Sequence, residues 1–158
     1  MSSVEFPIFV SYSQVTVFDR SLERPFNQWT DRHVAQGFSW RKGSAAFRTI
    51  AESGQYIVTV MVDAPRDELS PGAIRVIDVP FEVPADGVIE IGSISDSSLL
   101  EIPPGMYSLR FECCDPMHGE NAKSYFAFTR STTSMFRIVR ADPELSAEGE
   151  LLLTTSAA

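Results

Sequence analysis
The sequence predicts an all-β fold, an antiparallel β-sandwich with one short helix. Three observations predict it. Apolar and polar residues alternate with a period of two through most of the chain, the signature of strands with one face in a core. Turn signals recur at short intervals, at Asp63-Ala-Pro, Ser70-Pro-Gly, Ala85-Asp-Gly and Pro103-Pro-Gly, a spacing that favours a sandwich. A single segment carries helix boundary signals, so the expected architecture is roughly 8–10 strands.

The elements follow in order. Strands are expected over 5–10 and 12–18. The helix comes next, over about 30–37: Thr30 is an N-cap residue, Gly37 a C-terminal stop, and Trp29 with Val34 forms a hydrophobic staple across the first turn. His33 on this helix is expected to be exposed. A strand at 44–50 precedes segment 55–62, Gln-Tyr-Ile-Val-Thr-Val-Met-Val, which is apolar on both faces and reads as a central strand. Segment 76–84 turns Ile77, Val79, Phe81 and Val83 inward and Asp78, Pro80, Glu82 and Pro84 outward. Proline cannot donate to a ladder, so this strand is expected at a sheet edge or a bend. Segment 88–91 sets Ile89 and Ile91 against Glu90. Segment 105–114 alternates cleanly, with Tyr107, Leu109, Phe111 and Cys113 on one side and Ser108, Arg110, Glu112 and Cys114 on the other. Strands at 124–130 and 134–140 complete a single domain over 1–141. Residues 142–158 form a tail, in which Glu150-Leu-Leu-Leu-Thr-Thr either adds a last strand or stays loose.

Composition narrows the function. At 158 residues the chain has the length of one domain, and 44% apolar with 22% charged residues is globular. The start lacks a basic n-region and a long apolar stretch, so the expected location is the cytoplasm, and no run is apolar enough for membrane insertion. The net charge of −8 argues against a nucleic-acid binder, which needs a basic face. That excess is local. Residues 1–77 hold eight acids and eight bases, residues 121–158 four of each, and residues 78–120 nine acids with Arg110 alone opposing them. Such a stretch is either a solvated face or a docking surface for something positive.

Nothing points to catalysis, a cofactor or a metal. Cys113 and Cys114 are adjacent and diverge along a strand, so they read as two free thiols in a reducing compartment. With His118 they give C-C-x3-H, three ligands at most, where structural zinc takes four with C-x2-4-C spacing. A cysteine nucleophile with His33 or His118 lacks a flanking glycine and a following helix. Glu90 and Glu101 could pair for glycosidase-like chemistry, but nine acids in one stretch make some pair inevitable. No phosphate-binding loop or dinucleotide fingerprint occurs. Among the aromatics that anchor interfaces, Trp40, in Phe38-Ser-Trp-Arg-Lys-Gly, is the candidate for exposure.

Ser11-Tyr12-Ser13-Gln14-Val15-Thr16-Val17-Phe18, then Trp29-Thr30-Asp31 and Gln36-Gly37-Phe38, resembles the opening of the competence protein J (ComJ) family. Val79-Pro80-Phe81-Glu82-Val83 before Asp86-Gly87-Val88, and Pro103-Pro-Gly105-Met-Tyr107-Ser-Leu109, extend the resemblance over about residues 8–114. It implies an inhibitor of a DNA-entry nuclease, or an immunity factor against a nuclease toxin, with a protein partner and no catalytic residues. A nuclease attracts a polyanion and usually holds a divalent cation, so its inhibitor should present clustered carboxylates. Asp78, Glu82, Glu90, Glu101 and Glu112 each fall on the polar side of an expected strand. They share a face if those strands are neighbours in one sheet. With Trp40 they are the expected partner-binding residues. The competing reading is a small-ligand or carbohydrate-binding sandwich, which needs a concave aromatic-lined pocket and no acidic face.

Overall fold
The structure is a computed structural model that describes residues 2–63, 68–116 and 121–158. Among the described residues eleven strands form two sheets. The strands are β1 (Ser2–Val10), β2 (Gln14–Asp19), β3 (Phe38–Arg41), β4 (Ser44–Arg48), β5 (Gly54–Val62), β6 (Ala73–Val83), β7 (Val88–Gly92), β8 (Ser97–Glu101), β9 (Gly105–Cys114), β10 (Ala122–Arg130) and β11 (Arg137–Arg140), with helix α1 (Asp31–Gln36) before β3. The six-stranded sheet runs β1-β5-β10-β9-β6-β11 and the five-stranded sheet β3-β4-β2-β7-β8. All pairs are antiparallel except β5 with β10. The expected sandwich stands, with one short helix among the described residues. His118 and the Ala64-Pro65 part of a turn signal lie outside the described residues.

The inward faces of β6, β7 and β9 are the apolar ones the alternation marked. Val79, Phe81, Leu109, Phe111, Phe126 and Phe128 from one sheet meet Val15, Val17, Phe47, Ile89 and Ile91 from the other. Phe47 bridges the layers, stacked on Phe111 with ring centroids 4.7 Å apart. Each such burial is worth about 1.5–3 kcal/mol, which makes this seam the main source of stability.

Several expectations need correction. β6 is not an edge strand, since β11 pairs along it. The two prolines are tolerated because that ladder reaches only Val76–Asp78 and leaves the Pro80 side open. β3 and β8 went unrecognised: Ser97-Ser-Leu-Leu-Glu lacks a two-residue period, and β3 is four residues long. His33 is buried, not exposed. Its Nδ1 accepts the Thr30 backbone N–H at 3.0 Å, standing where a glutamate closes the usual capping box. The ring hydrogen therefore sits on Nε2, 3.0 Å from the Thr154 carbonyl. Gly37 ends the helix at φ 87°, a conformation that favours glycine, and Leu145 packs where a β-carbon would project.

That Thr154 contact belongs to a strap. Beyond β11 the tail forms no strand but crosses α1 and the 24–28 segment. Arg32 donates to the Glu148 and Glu150 carbonyls, and Gln36 exchanges two 2.9 Å bonds with Leu152. Gln28 and Ala158 close it through backbone bonds to Ser156 and Phe26. Its start is fixed by Arg75, fully buried, whose guanidinium grips Asp142 through two bonds of 2.7 and 2.8 Å.

Candidate protein-docking surface
The five expected acids do not share one sheet. Asp78, Glu82 and Glu112 lie on β6 and β9 of the six-stranded sheet, Glu90 and Glu101 on β7 and β8 of the other. Asp78 and Glu112 are also inaccessible, each only 2% exposed. Arg110 takes both Asp78 oxygens at 2.8 and 3.0 Å, with Arg137 3.4 Å away. The bonds to Asp78 push the Arg110 pKa up against the lowering effect of burial. Glu112 accepts the backbone N–H and hydroxyl of Ser70. These two acids hold structure together and are removed from the docking set.

The cause is a covered face. The polar side of an alternating strand faces solvent only if nothing packs on it. Here Leu69, Val76, Cys114, Tyr125 and Val139 build a small second core on the outside of the six-stranded sheet. Glu82 lies on the same side of β6 but past the end of β11, and is exposed 3.9 Å from the more exposed Lys42. Trp40 is half-buried: its indole N–H donates to the Pro80 carbonyl at 2.7 Å, and its ring meets Phe136 edge-on. Trp29 donates to Gln14 at 3.1 Å and lines a shallow pocket with Tyr12, Val34 and Arg48.

The acids that do converge lie on the β7–β8 hairpin. In the ladder Glu101 opposes Val88 and Glu90 opposes Leu99, so the two carboxylates are diagonal neighbours on the outer face. Ser97 donates to Glu90 at 3.1 Å. Asp96, in the turn, accepts the Phe9 backbone N–H at 2.8 Å, and Asp86 accepts that of Val88 at 3.0 Å. Asp86, Asp96 and Glu101 are exposed. Between Arg75 and Arg110 the sequence has no lysine or arginine. Within this acidic rim stand Ile94 and Leu99, 53% and 51% exposed, an apolar centre with a charged surround. Gly92 makes the tight return possible, because the Asp96 carbonyl stands where its β-carbon would be. Asp86 and Asp96 were visible as acids in sequence; Ile94 and Leu99 had no alternating pattern to mark them.

The thiols lie where the thiolate form is disfavoured. Cys113 and Cys114 are free and buried. Burial pushes Cys113 up to about 11 and raises Cys114 as well. Among the described residues no three His, Cys, Asp or Glu side chains are grouped to hold a metal.

Residues 7–131 match the model of the family described as Competence protein J (ComJ). The chain is 29% identical over 101 residues to a DNA-entry nuclease inhibitor of Bacillus subtilis (strain 168), covering 63% of this chain and 74% of that protein. Its fold is similar to the crystal structure of ComJ from Bacillus subtilis, an inhibitor of the DNA-degrading activity of NucA. The TM-score is 0.71 at 20% identity, covering 81% of this chain and 96% of that one. The product of crocagin biosynthetic gene J shares the fold more loosely, with a TM-score of 0.53 at 16% identity over 81% of this chain and 96% of that one. β11 and the strap lie past the end of the family match.

Proposed function
This chain belongs to the competence protein J (ComJ) family, and from that premise we propose that it is a stoichiometric protein inhibitor of a DNA-entry nuclease. It acts by occlusion, with no chemistry of its own, laying the acidic β7–β8 side of the five-stranded sheet on the nuclease's basic cleft.

The observation that carries the reading is placement. Four accessible carboxylates of the acidic stretch, Asp86, Glu90, Asp96 and Glu101, stand on one hairpin around Ile94 and Leu99, while the exposed Asp115 lies past the end of β9 and Asp78 and Glu112 are consumed inside the protein. A cleft that binds DNA carries positive potential, and usually a divalent cation. An acidic surface competes for it, and complementary fields raise the association rate. Glu82, paired with Lys42, stands apart from this group.

The test is titration of the source organism's DNA-entry nuclease during plasmid degradation. Cleavage should stop near equal molar ratio, with association slowing steeply as salt rises. Reversal of Glu90 and Glu101 to lysine should slow association about tenfold or more at low salt. Reversal of the exposed Glu5 and Glu52, outside the hairpin, should have little effect. Full nuclease rate at a twofold excess of the protein refutes inhibition. Equal losses in both charge variants refute the acidic docking side.

A further inference from the structure
The open edges of the two sheets are not treated alike. On β1 the Phe9 N–H, which points away from the sheet, is taken by Asp96, and Pro7, two residues earlier on the same side, has no N–H to offer. On β3 the Phe38 carbonyl, which points away from β4, accepts from Gln36. β11 is four residues long and carries an arginine at each end. β8 has none of these devices: neither lysine nor proline lies within Ser97–Glu101, and it ends the five-stranded sheet.

The phase of its hydrogen bonds is fixed at both ends. The Ile102 N–H donates to the Gly87 carbonyl at 2.9 Å, and the Ser93 N–H to the Asp96 carbonyl at 2.8 Å. In an antiparallel ladder hydrogen-bonding residues alternate, so Leu100 and Ser98 bond inward to β7. The N–H and C=O groups of Ser97, Leu99 and Glu101 therefore point away from the sheet, with the half-exposed Leu99 at the centre of the edge.

We propose that β8 is a strand-pairing edge, and that its occupant is an extended, lysine- or arginine-bearing segment of the inhibited nuclease, added as a sixth strand to the five-stranded sheet. This rests on the inhibitor reading above and names the contact through which it works. Backbone bonds from Ser97, Leu99 and Glu101 supply affinity. Charge chooses the occupant: the four carboxylates Asp86, Glu90, Asp96 and Glu101 flank the edge and outnumber Arg20, which lines the groove beside Glu90 and Asp96. A second copy of this chain would bring the same carboxylates against their own kind, whereas alternate cationic side chains on a nuclease strand meet them.

Leu99→Pro deletes the outward N–H at the centre of the edge without removing an inward bond, and Leu99→Thr removes the same apolar side chain while keeping that N–H. With the source organism's DNA-entry nuclease as probe, Leu99→Pro should weaken binding by about tenfold or more relative to Leu99→Thr. Amides of 97–101 in the unmodified protein should gain exchange protection on complex formation. Equal affinities with unchanged exchange at 97–101, while inhibition persists, overturn the strand-pairing edge and leave the inhibitor reading standing. Absence of inhibition by the unmodified protein removes both. Self-association abolished by Leu99→Pro assigns the edge to a second copy and also overturns the proposal.

Discussion

Replacing Asp142 by alanine should cost this protein far more than the loss of an ordinary ion pair. Arg75 is fully buried, and its nitrogens have three acceptors. Two are Asp142 oxygens at 2.7 and 2.8 Å, and the third is the Arg48 carbonyl at 2.8 Å. Asp142→Ala leaves a buried guanidinium with one neutral partner, a change that costs about 3–5 kcal/mol. In a domain of this length that lowers Tm by roughly 6–20 °C. The double variant Arg75→Leu, Asp142→Leu removes both charges and should recover most of the loss. Acid should reveal the same pair. Burial alone raises the Asp142 carboxyl, but hydrogen bonds and charge from Arg75 outweigh it, so its folded pKa lies below the usual value. The unfolded chain then takes up the proton first, at about pH 3.9. The contribution is therefore fully present above that pH and is lost as pH falls through the folded pKa. Urea denaturation from pH 7 to pH 3 should show a constant gap between the protein and Asp142→Ala near neutrality, shrinking below about pH 4. A neutral-pH cost under about 1 kcal/mol, the worth of an exposed pair, refutes the reasoning. So does a gap that widens on acidification.

His33→Ala removes both the N-terminal cap partner and an anchor of the strap; it should cost about 1–2 kcal/mol in denaturation and speed amide exchange over 152–156. Gly37→Ala places a side chain at φ 87° against Leu145, and thermal melting should show a loss of at least about 1 kcal/mol. With the Cys113 thiol pushed up to about 11 and both sulfurs buried, neither cysteine should react with a disulfide reagent at pH 8 until the protein is unfolded. Rapid native-state labelling of one equivalent contradicts that burial. Phe111→Ala opens the stack with Phe47 and Phe126 and should cost about 3–5 kcal/mol by urea denaturation.

Much of the sandwich was legible because the signals are local. The inward residues of β6, β7 and β9 followed from a two-residue period. The helix ends followed from Thr30 and Gly37, whose chemistry acts on neighbouring backbone groups. β8 was not legible, because Leu99 and Leu100 are consecutive: one packs inward on the core and the other stays half-exposed at the edge. The strap was not legible either, since its order comes from Arg32, His33 and Gln36, more than a hundred residues earlier in the chain.

By itself the sequence determined the fold class, the inward sets of β6, β7 and β9, and the concentration of the charge excess between Asp78 and Glu120. Each depends on a residue and its near neighbours, or on counting. Only the tertiary structure decided which of those acids are available. Asp78 and Glu112 alternate as properly as Glu90, yet the first two are sealed by Arg110, Arg137 and Ser70 while Glu90, with Glu101, borders an open edge. A strand's period tells which of its two faces a side chain occupies. Whether that face meets water depends on segments that arrive from elsewhere in the chain, and the desolvation and pairing they impose decide whether a carboxylate holds the protein together or can meet a partner.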